Sequence, residues 1–466
     1  MAGHGRRWIK KRKNDKPKER GTWNKDFKPI TELEKSNETF ERYYKAQNLL
    51  NDEAEWEQFM ATLRVMLPTA FRIMGNRTHA AALRAQLEQD FIPFIQSVTV
   101  DGEKVEPPTP LSWYPDQLGW QFTVPRVALK KSETLKKFHQ FLVNETEVGN
   151  ICRQEAVSMI PPLLLDVQPG HRVVDMCAAP GSKTSQILEA IHANVQADQV
   201  AEGLVIANDA NLRRACMLVH QTKRLHSPCL LVTHQEAEQF SNVLYPGTTF
   251  EGNASQQVLR FDRILCDVPC SGDGTIRKNL LIWRDWKIAD ALGLHRLQLK
   301  IAKRAAYFLK VNGRMVYSTC SLNPVENEAV VAELIRECEG AIRLVDVSDQ
   351  LPGLIRRPGL STWKVMRKDG EFANSFDDFL VEGVSRSHDK YPRSVFPPDN
   401  AHELHLERCL RIYPHLQNTG GFFVAVLEKI RPLSHSDESS LNQPDTVGAP
   451  TSVERCKEDS PAVEPT

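Results

Sequence analysis

A regular exchange of apolar runs and helical stretches through the middle of this chain limits its fold more than any other feature. Val173-Val174-Asp175-Met176 reads as a strand, Ser182 to Ile191 as a helix, Leu204-Val205-Ile206-Ala207 as a strand, Leu212 to Leu225 as a helix and Leu230-Leu231-Val232 as a strand. Arg263-Ile264-Leu265-Cys266-Asp267, a long helical region from Leu292 to Leu309, the strand around Arg314-Met315-Val316-Tyr317-Ser318 and a helix from Glu326 to Glu337 continue the pattern. Strands alternating with helices pair in parallel and are covered on both faces, so the spacing predicts an α/β class domain with a Rossmann-like, doubly wound sheet. Gly420-Gly421 followed by Phe422-Phe423-Val424-Ala425-Val426, with Cys409-Leu410-Arg411-Ile412 before it, predicts a terminal antiparallel hairpin on that sheet. Between them, a polar insertion at about 345–396 carries Pro and Arg and is expected to face a substrate rather than to form core.

The segment before this alternation mixes helical periodicity with short β-like runs. Glu57 to Leu63 and Ala80 to Leu87 read as helices, and Ala70-Phe71-Arg72-Ile73 and Gln96 to Val100 as strands. With 466 residues the chain is long enough for two or three domains. The expected division is a basic disordered tail at 1–36, a small α+β domain at 37–145, the doubly wound domain at 146–430 and an acidic disordered tail at 431–466. Lys130, Lys131, Lys136 and Lys137 flank the junction and are placed to meet phosphates or water.

Lys plus Arg and Asp plus Glu are balanced at 59 each, so only the distribution of charge is informative. Residues 1–30 hold eleven Lys or Arg against three acids, and residues 432–466 hold seven acids against two bases. The Arg6 to Lys13 cluster is a candidate nuclear address or RNA-contacting arm, with a solvated tail as the other reading. No apolar run reaches the roughly 18 residues of a membrane span, and no apolar segment follows the basic start, so a soluble intracellular protein without membrane partners is expected. Ten scattered cysteines fit a reducing compartment. Cys216, His220, His226 and Cys229 match no zinc module by spacing, and no metal is expected.

Ligands of open α/β sheets gather at the carboxyl ends of the strands, and four stretches converge there. Thr319-Cys320-Ser321 ends the last parallel strand, where a thiolate could attack a bound substrate, although a lone Cys often serves only as a small buried apolar group. Asp267-Val268-Pro269-Cys270-Ser271-Gly272-Asp273-Gly274 places a carboxylate and a second cysteine at the same edge. Asp175-Met176-Cys177-Ala178-Ala179-Pro180-Gly181-Ser182-Lys183-Thr184 enters a helix through small residues, which suits either a ligand close to the backbone or a tight turn. With Gly181 as its one glycine it is neither a dinucleotide fingerprint nor a phosphate loop. Asp209, after the second strand, could accept both hydroxyls of a ribose or cap the next helix.

Together with Arg153-Gln154-Glu155-Ala156-Val157-Ser158-Met159-Ile160-Pro161-Pro162, these motifs resemble the Sun-domain (RsmB/NOP-type) family of S-adenosylmethionine-dependent RNA cytosine-5 methyltransferases, and most closely its eukaryotic tRNA-modifying branch. The resemblance runs from about Leu111 to Val426. It implies that Cys320 is the nucleophile adding to C6 of cytosine, that Asp267 binds the base around N3 and N4, and that Cys270 serves release of the product. Lys183 matches a basic residue beside the site that favours the thiolate or orients the base. Cys177, Ala178, Ala179, Pro180, Gly181, Ser182 and Lys183 would line the methionine end of the cofactor, and Asp209 would meet its ribose. Near the third strand end, where the family has an aspartate against adenine, this chain has Glu236, and Asp267 borders the cofactor as well.

The function so implied is formation of 5-methylcytosine in tRNA by a monomeric enzyme of the nucleus or nucleolus, with the cytoplasm as a further compartment. Its rivals are the same chemistry on ribosomal or messenger RNA and a non-catalytic RNA-binding scaffold. DNA cytosine methyltransferases differ in carrying their nucleophile in the earlier Pro-Cys motif.

Overall fold

The computed structural model describes residues 34–434 apart from 101, 124–131, 194, 196, 197, 249–253 and 380–390. The basic cluster Arg6 to Lys13, Lys130, Lys131 and the acidic stretch from 435 onward lie outside the described residues.

The first helices start at capping side chains. α1 (Glu38–Ala46) follows Asn37, which accepts a hydrogen bond from the Phe40 amide, and α2 (Glu53–Arg64) follows Asp52, which accepts from Glu55. A small antiparallel sheet comes next, built from β1 (Thr69–Ile73), β2 (Thr109–Pro110), β3 (Gly119–Phe122) and, after helix α3 (Glu133–Glu147), β4 (Ile151–Arg153), in the order β2-β3-β1-β4. Leu135, Phe138 and Leu142 of α3 lie with Phe71, Trp120 and Phe122 in a core of their own. The stretch read as a strand at Gln96 to Val100 is helical through Gln96, and only Thr99–Val100 pairs, in a two-residue ladder.

The large sheet is assembled from β5 (Arg172–Asp175), β6 (Leu204–Asn208), β7 (Leu230–Thr233), β8 (Phe261–Asp267) and β9 (Leu309–Thr319), all parallel, with α4 (Ser182–Ile191), α5 (Leu212–Thr222) and α6 (Ile288–Phe308) among the connections. After α7 (Glu328–Glu337) come β10 (Ile342–Leu344), β11 (Arg357–Pro358), β12 (Leu410–Ile412) and β13 (Phe422–Lys429). The order is β11-β12-β13-β9-β8-β5-β6-β7, with β10 also beside β13. β12 and β13 are antiparallel to each other and β13 to β9, so the hairpin expected at 409–426 extends the parallel, Rossmann-like sheet. The strand order reverses between β5 and β8, which opens a crevice at their carboxyl ends. No described helix is long and apolar enough to cross a membrane.

Packing does not follow a division at 145/146. Phe40, Tyr43 and Tyr44 of α1 and Phe59, Met60 and Leu63 of α2 are buried in the same core as Trp283, Trp286 and Tyr413, so these helices belong to the large sheet. β4, beyond the expected boundary, pairs with β1 of the small sheet instead. Within the stretch at 345–396, Trp363, Val365, Met366 and Val395 are buried in the main core. Trp363 Nε1 donates to the Val395 carbonyl at 2.8 Å, and the Gln47 side chain bonds both Lys364 O and Lys364 N at 2.9 Å, so these anchors dock part of the segment against the end of α1. Its polar composition hid a few large apolar anchors, and burying a few large side chains is enough to dock a loop.

At the base of the hairpin Arg411 and Glu328 form a buried bidentate pair, with side chains 1% and 0% exposed. Arg411 Nε and Nη2 donate to Glu328 at 2.6 and 2.5 Å, and Nη1 donates to the Leu322 carbonyl at 2.8 Å, two residues beyond Cys320. Removing one partner strands a buried charge, so Arg411→Ala is expected to cost about 3–5 kcal/mol in urea unfolding, with much of it recovered in Arg411→Met, Glu328→Gln.

Candidate active site

The crevice between β5 and β8 is lined by the turns that leave the strands. After Asp175 the chain passes Cys177 and Ala178, whose amide donates to the Asn208 carbonyl at 2.7 Å, and reaches Gly181 at φ 111°. A side chain at Gly181 would begin 2.9 Å from Leu218 Cδ1 on α5, so glycine here allows α4 to start against α5. The first turn of α4 therefore presents its backbone N–H groups at the sheet edge beside Pro180, Gly181 and Ser182. Asp175 is buried beneath this turn; Thr184 Oγ1 donates to Oδ2 at 2.8 Å while Oδ1 has no hydrogen-bond partner among the described residues. Burial, against the hydrogen bond from Thr184, pushes its carboxyl up to about 7.

Asp209 follows β6 and is tied to the same turn. Its Oδ2 accepts from the Ala179 amide at 3.2 Å, Oδ1 accepts from Asn211 N at 3.0 Å, and Arg214 lies 3.3 Å away while donating to the Ala179 carbonyl at 2.7 Å. The cap of α5 is Asn211, whose side chain accepts from Arg214 N, so Asp209 is left to the turn and the crevice. Glu236 sits just past β7 at the same edge, exposed, next to Gln235, whose carbonyl accepts from Asn208 Nδ2 at 2.8 Å.

On the other side of the switch point, Asp267 ends β8 directly opposite Ser318 of β9. Ser318 Oγ donates to Asp267 Oδ1 and Lys183 Nζ to Oδ2, both at 2.8 Å; Lys183 also donates to Ser158 Oγ at 2.8 Å and stands 5.4 Å from the Phe422 ring centroid. Burial works against the ammonium of Lys183, but the Asp267 carboxylate more than offsets it and the pKa is raised, so the lysine is charged at neutral pH. The same ammonium is close enough to Cys320 to interact with it electrostatically.

The two cysteine turns meet sulfur to sulfur, Cys270 Sγ and Cys320 Sγ being 3.3 Å apart and both half-buried. The hydrogen bond to Cys320, aided by burial, raises the Cys270 thiol well above its ordinary value, which keeps its proton beside Cys320. Gly274 N donates to Cys320 O at 2.9 Å and Gly421 N to Gly274 O at 2.8 Å, so the start of β13 braces both turns; any side chain at Gly274 would strike these backbones.

The structure thus brings Cys320, Cys270, Asp267 and Lys183 into one cluster and Asp209 with residues 177–183 into the adjoining half of the crevice. Several participants were quoted within the motifs but given no role: Ser158 and Ser318 as partners of Lys183 and Asp267, and Glu155, whose Oε1 is buried without a partner among the described residues and whose carboxyl is raised by burial. Asp273 lies buried behind the turns, accepting from Leu322 N at 2.8 Å, Trp286 Nε1 at 3.1 Å and Tyr44 Oη. The local signal for Ser318 and Asp273 was closeness to a cysteine motif, and for Ser158 and Glu155 only their place in the stretch from Arg153 to Pro162.

Asp175 gives a pH test. Its carboxyl holds a proton up to about 7 in the fold and to 3.8 otherwise, so the stability it contributes is present at low pH and lost as pH rises through that window. Relative to Asp175→Asn, the wild type is expected to lose melting temperature between about pH 4 and 7, by roughly several degrees in paired thermal melts.

The chain is similar to known proteins in sequence and in fold. Residues 162–352 match the family model of the 16S rRNA methyltransferase RsmB/F. A multisite-specific tRNA:(cytosine-C(5))-methyltransferase of Saccharomyces cerevisiae is 47% identical over 414 residues, 88% of this chain and 58% of the relative. A tRNA (cytosine(34)-C(5))-methyltransferase of Drosophila melanogaster is 45% identical over 421 residues, 87% of this chain and 54% of the relative. The chain therefore spans little more than half the length of these relatives. Among solved structures, NSun6 from Pyrococcus horikoshii with SFG superposes with a TM-score of 0.57 at 18% identity, covering 86% of this chain and 100% of that one. A methyltransferase homologue from the same organism gives 0.52 at 23% identity, over 80% and 90%. The family model thus falls on the strands that carry both cysteine turns, and over residues 162–352 the chain is similar to the RsmB/F methyltransferases, with 45–47% identity to part of each of these two relatives along most of its own length.

Proposed function

We propose that this chain transfers a methyl group from S-adenosylmethionine to C5 of cytosine in RNA, with tRNA as its substrate, through a covalent bond between Cys320 and C6 of the base. The observation that carries this reading is the pair of sulfurs 3.3 Å apart at the switch point, beside the Lys183–Asp267 pair. The names of the yeast and fly relatives support cytosine C5 and tRNA.

The residues of the turn fit the cofactor. Small side chains from Cys177 to Ser182 give access to the backbone, Asp209 offers a carboxylate toward a ribose, and the α4 amino end faces the crevice. When bound, the cofactor supplies an electrophilic sulfonium methyl group. The protein has to make C5 reactive, since an aromatic carbon takes a methyl group poorly. Addition of the Cys320 thiolate to C6 breaks the aromatic system and leaves carbanion character at C5. Asp267, held on one oxygen by Ser318 and on the other by Lys183, faces the N3 and N4 edge, where its charge accepts the exocyclic amine and disfavours uracil. Once the C5 proton has passed to water, its electron pair reforms the C5–C6 double bond and the C6–S bond breaks with its pair on the Cys320 sulfur, where the Cys270 thiol, 3.3 Å away and still protonated, hydrogen-bonds the departing thiolate. The target base has to leave any stack to reach this crevice.

We place the enzyme in the nucleus on the strength of the Arg6 to Lys13 cluster, acting as a monomer. A second reading keeps the chemistry and changes the substrate to ribosomal RNA, which the name of the matching family model favours.

Cys320→Ala is expected to lower methyl incorporation into tRNA by about 1000-fold or more. Cys270→Ala should leave an RNA-linked protein on denaturing gels that disappears in the Cys270→Ala, Cys320→Ala double variant. Lys183→Met should slow methylation roughly 100-fold without removing bound RNA. Label confined to ribosomal RNA would favour the second reading, and wild type that labels no RNA would leave only a binding scaffold.

A further inference from the structure

Behind the two cysteines lies a carboxylate that the scheme above does not use. Glu326 is fully buried, six residues after Cys320. It accepts from the Ser271 amide at 2.8 Å, from Ser271 Oγ at 2.6 Å, from Ser321 Oγ at 2.6 Å and from Gln298 Nε2 at 3.0 Å. Ser271 follows Cys270 and Ser321 follows Cys320, so one side chain spans the two turns that bring the sulfurs together. A buried carboxylate is costly unless donors surround it, and here donors converge from both turns and from α6.

The two turns depend on it unequally. Cys320 leaves the end of β9, where Thr319 is paired with Phe423 of β13, and its carbonyl accepts from Gly274 N; Asn327 Nδ2 and Thr319 Oγ1 fix Ser321 as well. The turn of Cys270 is anchored at Val268 N, bonded to Ser318 O at 3.1 Å, and at the Pro269 carbonyl, bonded to Gln298 at 2.9 Å. Beyond Pro269 the backbone bond nearest Cys270 is that from Ser271 N to Glu326, the next ones being Thr275 N to Gly272 O and Gly274 N to Cys320 O, whose amides lie three or more residues further along the chain. Gln298 itself donates to Glu326, so the carboxylate also steadies that anchor. A glutamine in its place keeps the volume but aims an NH₂ group at hydroxyl and amide donors.

We infer that Glu326 is the positioning residue that holds Cys270 against Cys320, so that its loss separates methyl transfer from release of the product. The inference rests on the covalent reading given above. Cys320 stays on its strand and still adds to the base, while Cys270 loses the placement that lets the Cys320–C6 bond break.

The test compares the full chain carrying Glu326→Gln or Ser271→Ala with the wild type on tRNA and S-adenosylmethionine, scoring first-turnover methylation, steady-state turnover and RNA-linked protein on denaturing gels. Glu326→Gln should methylate its first equivalent at the wild-type rate, lose turnover by roughly 100-fold and accumulate RNA-linked protein that vanishes when Cys320→Ala is added. Ser271→Ala, which removes one hydroxyl and leaves the carboxylate, should shift the same balance to a smaller extent at an unchanged melting temperature. First turnover and steady state falling together in both variants, with no linked RNA, would make Glu326 a purely structural residue and overturn the inference. Cys270→Ala is the control: no linked RNA there defeats the covalent reading, whereas linked RNA there but in neither Glu326→Gln nor Ser271→Ala defeats only the role given to Glu326.

Discussion

The parallel pairing of β8 with β9 is the constraint on which the candidate site depends. Its register sets Asp267 opposite Ser318, and the ladder ends just where both chains turn away from the sheet. Successive strand residues face opposite sides, so a slip of one position would turn Asp267 away from Ser318 and from Lys183. With the register fixed, the Pro269–Cys270 turn and the Thr319–Cys320 turn leave side by side, and a 3.3 Å sulfur contact follows from backbone placement. The antiparallel β13 then locks the outer face of β9 from Arg314 to Thr319, which keeps the last parallel strand from being a free edge.

Lys183 connects the two halves of the crevice. It belongs by sequence to the small-residue turn that opens α4, yet its ammonium is bonded to Asp267 across the switch point and to Ser158 from the segment before β5. A charge bonded to a carboxylate and within electrostatic reach of the Cys320 thiol acts strongly where little water enters, and its attraction to Asp267 survives the cost of burial. The turn on the cofactor side and the turns on the base side are thus held by one side chain, which suits a reaction that joins the two ligands.

Burial of acids behind the cysteines is the other recurring device. Asp273 and Glu326 are both fully buried and both raised by desolvation, Glu326 to about 7, with each surrounded by donors from distant parts of the chain. Tyr44 of α1 reaches Asp273, and Tyr43 Oη donates to Asn323 Oδ1 at 2.8 Å, so a helix near the start of the described chain supports the turn after Cys320. These contacts hold α1 on the large sheet. Its aromatic side chains bury against Trp283 and Trp286 while two hydroxyls satisfy polar groups under the site, and Phe59 of α2 packs beside Tyr413.

The sequence by itself determined the alternation of strands and helices, the hairpin at 409–426 and the gathering of Cys320, Cys270, Asp267 and the 175–184 turn at one sheet edge. Those features follow from local period and turn chemistry, which neighbouring residues carry. It did not place the aromatic residues of 38–64, or Trp363, Val365, Met366 and Val395, in the main core, because these few large apolar anchors are diluted by polar neighbours. It gave no role to Ser158, Asp273 or Glu326 either. Their partners lie as far as 229 residues away, as Tyr44 does from Asp273, or on the neighbouring turn, as Ser271 does from Glu326. Which donor meets which buried carboxylate is set by how the layers close on one another, and only the tertiary structure decides that.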